Sequence, residues 1–347
     1  MDSLMGHIVP GTFFAMFAIW WGFCVAAKHF HSRHPSKKTR KPIPYHSSTT
    51  YSCSCCSSSI GQIPLESCLK LICVSIGILG EAVTGLKHPY DDTLKRQVWI
   101  FGEVNAQHIT MFFSFGFAAL IEILVHAKYS LPKGIEFTAN IFAFGLEGFL
   151  FHFHLHGKDD INVHVHTLLV YNIMFCVLAS IWEYNRPNQI LATYCRIGAT
   201  LLQGTWFYAA GFILYFPSND PYWRWTETHG HILLITVLFI WLGLLVCIFL
   251  FLQSAFVWSV LKRRYQDFNR YSVLHEEEED DGDDNDDDDV LDKETGTVLK
   301  SNNHKLKLLK PKNGNAIIDI DDHENDDSDS QIEFEQQQQQ QQYSSKI

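Results

Sequence analysis

Seven stretches of this 347-residue chain run for about twenty residues or more with few charges, and short polar gaps separate them. A hydrocarbon core about 30 Å thick takes roughly 20 apolar residues to cross as a helix. Inside it a helix satisfies all of its own backbone hydrogen bonds. The stretches lie at 8–27, 65–86, 106–127, 135–156, 163–183, 190–216 and 231–261. Pro64, Pro89, Pro132, Pro187, Pro217 and Pro221 all fall in the gaps, where a helix breaker belongs. Glu66, Lys70 and Glu81 interrupt the second stretch, and the last two exceed a single span, so they should tilt or run into the interface. This pattern predicts an all-α membrane protein, a seven-transmembrane-helix bundle over residues 1–261. Met1–Pro10 has no Lys or Arg, so the first apolar run reads as a retained helix rather than a cleavable signal.

The net charge of −11 does not describe that bundle. Through Leu261 the chain has 16 Lys/Arg and 14 Asp/Glu, whereas the remainder has 11 and 24. An acidic tail on a nearly neutral bundle gives no basic face, so nucleic acid is excluded as a partner. With the N-terminus outside or luminal, the cytosolic gaps and the start of the tail hold 13 Lys/Arg and the outer gaps five. Basic residues favour the cytosolic side. The asymmetry therefore predicts an outside N-terminus, a cytosolic C-terminus and an odd number of spans.

Two segments look unstructured from composition. Residues 29–62 are rich in Ser, Pro, Lys and His and include Cys53, Cys55 and Cys56. Residues 262–347 carry the acidic run Glu276–Asp289 and seven glutamines at 336–342. Neither can bury enough apolar surface to offset chain entropy. The acidic tail reads first as a solvating extension and second as a binder of basic partners. The cysteine group lies near a helix on the cytosolic side, where palmitoylation or a soft metal competes with a plain linker role. Most of the other cysteines fall inside predicted helices, so no disulfide framework is expected.

Histidines mapped onto this topology gather on the outer side. His7 and His108 open the first and third helices, His152, His154 and His156 close the fourth, His164 and His166 open the fifth, and His229 and His231 open the seventh. Glu81 closes the second helix at the same depth. Glu147 lies two turns from His154 along one face of the fourth helix. The spacing His164-Val-His166 cannot put both rings on one helical face, so one of the two is expected before its helix begins. Imidazoles with carboxylates on rigid helices suit Zn²⁺. The metal-ligand candidates are His7, His108, His154, His156, His164 and His166, with Glu81 and Glu147 as catalytic carboxylates or further ligands. A metal-free protonatable network and ordinary interfacial histidines are the alternatives. No standard metal motif decides between them.

An inner set comprises Glu66, Lys70, Glu122, Glu136, Glu183 and Arg196. Arg196 lies about two turns into the membrane and needs an acidic partner. These read as structural ion pairs, or as the inner stations of a transport path. In Gln203-Gly204-Thr205 a small residue sits between two hydrogen-bonding ones, a pattern suited to close helix packing.

The motifs Gly6-His7-Ile-Val-Pro10-Gly11, Gly77-Ile-Leu-Gly-Glu81, Gln107-His108 and Glu147-Gly-Phe-Leu-Phe occur in this order. His154-Leu-His156, His164-Val-His166 and Gln203-Gly-Thr-Trp-Phe207 follow. With this string the chain resembles the transmembrane protein 45 family. The resemblance implies a seven-helix bundle with an outside N-terminus, in endomembranes or at the cell surface, and no established reaction. It covers His7, Glu81, His108, Glu147, His154, His156, His164 and His166, but not His152, His229 or His231.

Three functions follow as expectations. One is a zinc-dependent membrane hydrolase acting on a lipid-like substrate, in which the metal acidifies a bound water and a carboxylate shuttles its proton. The others are a proton or metal-ion transporter and a non-catalytic trafficking or scaffold protein. Membrane lipids are partners in all three.

Overall fold

The computed structural model describes residues 3–34, 44–51, 64–91, 93, 95–215 and 225–280, with side chains described as far as Asp267. Within them are α1 (Leu4–Arg33), α2 (Leu65–Gly85), α3 (Glu103–His126), α4 (Ile135–His154), α5 (Asp160–Asn185), α6 (Ile190–Tyr215) and α7 (His229–Asp280). Six of these helices, all but α4, are long and apolar enough to cross a membrane. The expectation of seven spans is thus carried by length and composition for six. The physical reason is polarity: α4 holds Glu136, Asn140, Glu147, His152 and His154 in only 20 residues. Three of them, Asn140, Glu147 and His154, make hydrogen bonds to neighbouring helices.

α1 and α6 form the most intimate pair. They can do so because Gly11 and Gly204 meet with no side chain between them. A Cβ on Gly204 would stand 2.6 Å from the Ala15 nitrogen and 2.9 Å from the Gly11 carbonyl oxygen. Around this pair, α2 packs on α3, α3 on α4, α4 on α5 and α5 on α6, while α7 lies against α1, α6 and α5. α2 meets α1 only over a short stretch. One buried apolar cluster centres on Phe151, Val165, Leu169, Trp206 and Phe207, and another on Phe17, Trp21, Val25, Ile197 and Leu201. α2 and α7 expose long apolar faces, as lipid-facing helices do.

Local signals explain where helices start. Ser3 caps α1, accepting from Gly6 N at 3.1 Å, so the helix begins four residues before the expected position 8 and encloses Pro10. Asp159 caps α5, accepting from Asn162 N at 3.2 Å. That early start overturns one expectation. Both His164 and His166 lie inside α5, on different faces, and neither precedes it.

The connection between α2 and α3 is not plain loop. Strands β1 (Leu86–Lys87), β2 (Tyr90–Asp91), β3 (Arg96–Gln97) and β4 (Ile100–Phe101) pair antiparallel, β1 with β4 and β2 with β3, and His88 stacks on Trp99 at 4.2 Å. This small excursion sits in an otherwise all-α bundle.

The expectation of an unstructured 29–62 is also corrected where residues are described. α1 continues to Arg33, and residues 44–51 pack into the bundle beside α2 and α6. Tyr45 and Tyr51 are buried there; Tyr45 donates to Thr193 Oγ1 at 2.9 Å, and Ser47 N donates to the Pro187 carbonyl at 2.7 Å. Aromatic side chains in a Ser/Thr-rich segment supply the apolar surface that composition alone seemed to deny it. Cys53, Cys55 and Cys56 lie outside the described residues, as do the acidic run beyond Asp280 and the glutamine tract. Between residues 262 and 280 the expected tail is a continuation of α7.

Candidate functional site

At the expected outer ends of the helices, four buried imidazoles stand in a file. His7 on α1 neighbours His166 on α5 with ring centroids 5.6 Å apart, His166 neighbours His154 on α4 at 5.7 Å, and His154 neighbours His108 on α3 at 5.4 Å. The file ends on α2, where His108 Nδ1 lies 3.3 Å from Glu81 Oε2. Five helices thus contribute one side chain each, and all five residues are buried.

Neighbouring groups set the ring orientations. His7 Nδ1 donates to the Ser3 carbonyl at 3.1 Å, His166 Nδ1 to the Asn162 carbonyl at 2.9 Å, and His154 Nδ1 to Gln107 Oε1 at 3.0 Å. A carbonyl can only accept, so these contacts assign the proton to Nδ1 and the lone pair to Nε2 in each neutral ring. Asn105 Nδ2 donates to Glu81 Oε2 at 2.7 Å and steadies that carboxylate. Asn105 was not singled out from sequence, although it sits three residues before His108 and so on the same face of α3. His7 also needs a small residue opposite it, and a Cβ on Gly211 of α6 would lie 3.0 Å from the His7 Cβ.

The remaining predicted ligands lie elsewhere. His164 turns to α7, its Nε2 2.9 Å from Thr236 Oγ1. His156 is exposed beyond the end of α4, its ring over Phe153 at 6.0 Å. His152 is exposed as well, and His231 Nδ1 accepts from Thr226 N at 2.9 Å beside the start of α7. Among the described residues, no group of three or more His, Cys, Asp or Glu side chains is arranged to hold a metal ion.

Glu147, the second predicted carboxylate, sits deeper and outside the file. Gln203 Nε2 on α6 lies 2.9 Å from each of its two oxygens, and Cys176 Sγ donates to Gln203 Oε1 at 3.3 Å. Glu147 lines a cavity of about 90 Å³ walled mainly by Phe, Trp and aliphatic side chains of α1, α2, α3, α4 and α6. A single water needs roughly 10–15 Å³ by such a measure, so the space takes a slender group but not a bulky one. Phe151 and Phe207 line this cavity and also touch the file: Phe151 lies along His166 at 6.1 Å, and Phe207 meets His7 at 6.2 Å.

Away from the file the charges pair. Lys70 Nζ lies 3.0 Å from Glu66 Oε1 and 2.9 Å from Glu122 Oε2. Arg196 pairs with Glu183, while Glu136 stands apart from both pairs. Glu66 also accepts from Trp20 Nε1, Trp21 Nε1 and Tyr51 N at 3.2, 2.7 and 2.9 Å. The Trp21 ring also meets both cations, Lys70 at 5.2 Å and the Arg196 guanidinium at 4.6 Å. This network holds α1, α2, α3, α5, α6 and the 44–51 segment together. Buried charges are expensive in a membrane, and here Glu66, Lys70, Glu122, Glu183 and Arg196 are each satisfied by a partner.

Apolar helices of spanning length, ion pairs hidden between them and lipid-facing surfaces elsewhere define an integral multi-pass membrane protein. Comparison with known proteins agrees with that class. Residues 133–255, which cover α4 to α6 and the first part of α7, match a family of unknown function (DUF716). The chain is also similar to transmembrane epididymal protein 1 of Homo sapiens, 25% identical over 138 residues, or 39% of this chain and 50% of the relative. The chain thus spans about half the length of that curated relative. Of the buried file, the family match includes His154 and His166, together with Glu147 and Gln203 of the cavity.

Proposed function

We propose that this is a seven-span membrane protein of the transmembrane protein 45 type, with its N-terminus outside or luminal and its C-terminus cytosolic. In this reading α4 is the seventh span, its polar residues turned to α3, α5 and α6. The protein binds a lipid-like amphiphile in its outer half and exchanges protons with it through the His/Glu file. The observation that carries the reading is the shared wall: Phe151 and Phe207 border both the apolar cavity and the imidazoles. An amphiphile needs that juxtaposition, with apolar rings for its chain beside polar groups for its head.

Imidazoles in their neutral form are suited to accepting and passing on protons near neutral pH. Zinc bound at the file would turn the same site into a lipid hydrolase, with Glu81 as the proton shuttle. That version stands or falls on metal content. The deciding experiment purifies the full chain in mild detergent and measures copurified lipid by native mass spectrometry and zinc by elemental analysis. Bound lipid lost in His154→Ala and His166→Ala supports the reading, and stoichiometric zinc lost in the same variants supports the hydrolase version. A lipid-free protein whose variants behave like wild type sinks both.

A second reading, proton transport, is favoured by one observation. The same cavity reaches Glu147 on its outer side and Lys70 at its inner end. Proton flux into liposomes that disappears in Glu147→Gln would select it.

A further inference from the structure

Among the described residues, Glu147 is a buried acid that no Lys or Arg answers. Lys70 answers Glu66 and Glu122, and Arg196 answers Glu183. Glu147 is 3% exposed, and among the described residues no Lys or Arg pairs with it; its contact is the Gln203 amide. Counting these groups together, four carboxylates face two cations. A carboxylate in such surroundings gains most from a positively charged donor.

The cavity that Glu147 lines borders the seam between α1 and α2. α2 packs along α3 and meets α1 only over a short stretch, where Trp20 and Trp21 of α1 donate to Glu66 near the inner end. The cavity is nevertheless lined from both sides of that seam, by Phe13, Phe14 and Phe17 of α1 and by Cys73 and Val74 of α2. A cavity of this size holds a head group and its first methylenes, and the seam lets the rest of a chain lie among lipids.

We propose that this cavity binds a single-chain aliphatic amine, with its ammonium on the Glu147 carboxylate and its chain leaving between α1 and α2. The inference deepens the amphiphile-binding reading and rests on it. The ammonium donates to Glu147, Gln203 holds that carboxylate in place, and Phe14, Phe144 and Phe207 wall the same cavity. A fatty acid would put a second anion beside Glu147, and an alcohol would bring a donor without charge. The site therefore ranks the three head groups amine, alcohol, acid.

Cys73 supplies the readout, because its thiol lines the cavity. The full chain is placed in phosphatidylcholine nanodiscs and treated with a small apolar maleimide, and modification at Cys73 is followed by peptide mass spectrometry. Dodecylamine, dodecanol and dodecanoate are the three protectants. Dodecylamine is expected to protect at about tenfold lower concentration than dodecanol, the ratio that a charge-assisted hydrogen bond confers over a neutral one. Dodecanoate should protect least. Glu147→Gln keeps the shape of the side chain and should bring the amine level with the alcohol. Equal protection by all three in the wild type, or an amine preference that survives Glu147→Gln, overturns the amine assignment but leaves amphiphile binding intact. No protection by any chain overturns both.

Discussion

Replacing Gly204 with alanine tests the packing on which the whole outer site depends. The new Cβ would stand 2.6 Å from Ala15 N, 2.9 Å from Gly11 O and 3.1 Å from Ala15 Cα. Carbon contacts are comfortable at about 3.5 Å, so α1 must retreat by about 1 Å. All three atoms are backbone, and no rotamer change can relieve the clash. Overpacking of this kind costs about 1–3 kcal/mol, and a rigid obstacle points to the upper end. Alanine returns about 1 kcal/mol through its better helix propensity. The net expectation is a loss of about 2 kcal/mol.

Gly145→Ala is the matched control, because a Cβ there meets nothing within 4 Å. It should stabilise by about 1 kcal/mol from propensity alone. Unfolding of both variants in detergent micelles, followed by circular dichroism across a denaturant series, should shift the midpoint in opposite directions. The Gly204 variant should also loosen His7 against His166, since α1 positions that ring. If Gly204→Ala is neutral or stabilising, the close α1–α6 approach is not what holds these helices together.

Other outcomes are equally specific. Glu183→Gln leaves Arg196 as a buried cation without its partner and should cost about 3–5 kcal/mol, whereas Glu183→Leu combined with Arg196→Met should recover most of it; midpoints that do not separate the two would contradict the pairing. Burial pushes the Tyr45 phenol up to about 12, against the opposing pull of its Thr193 contact. The packing of 44–51 should therefore be complete below the ordinary tyrosine value of about 10 and lost as pH rises through 12, a step that proteolysis of the segment should detect and Tyr45→Phe should abolish. Cysteines introduced at Met5 and Lys158 should react with an impermeant maleimide from one side of the membrane, and cysteines at Lys128 and Arg186 from the other. Labelling of positions 5 and 158 from opposite sides would refute the proposed topology.

The sequence reading reached the membrane class because hydropathy is local: twenty apolar residues cannot be soluble wherever they pack. It could not tell which ring turns inward. His154 and His156 are two residues apart, as are His164 and His166, yet one of each pair joins the file and the other faces outward or toward α7. That choice follows from helix phase and from the Asp159 cap that starts α5 early.

Residues 44–51 were misjudged for a related reason. Composition averages over a segment, whereas two tyrosines suffice to anchor one when Glu66 and Thr193 wait to bond them. The pairing of Lys70 with Glu122, the burial of Glu147 against the Gln203 amide and the cavity beside it exist only once distant helices meet. Local chemistry determined that this chain enters a membrane and which residues would be costly there. Tertiary packing alone decided which of them satisfy one another, because a buried charge is defined by its neighbours in space.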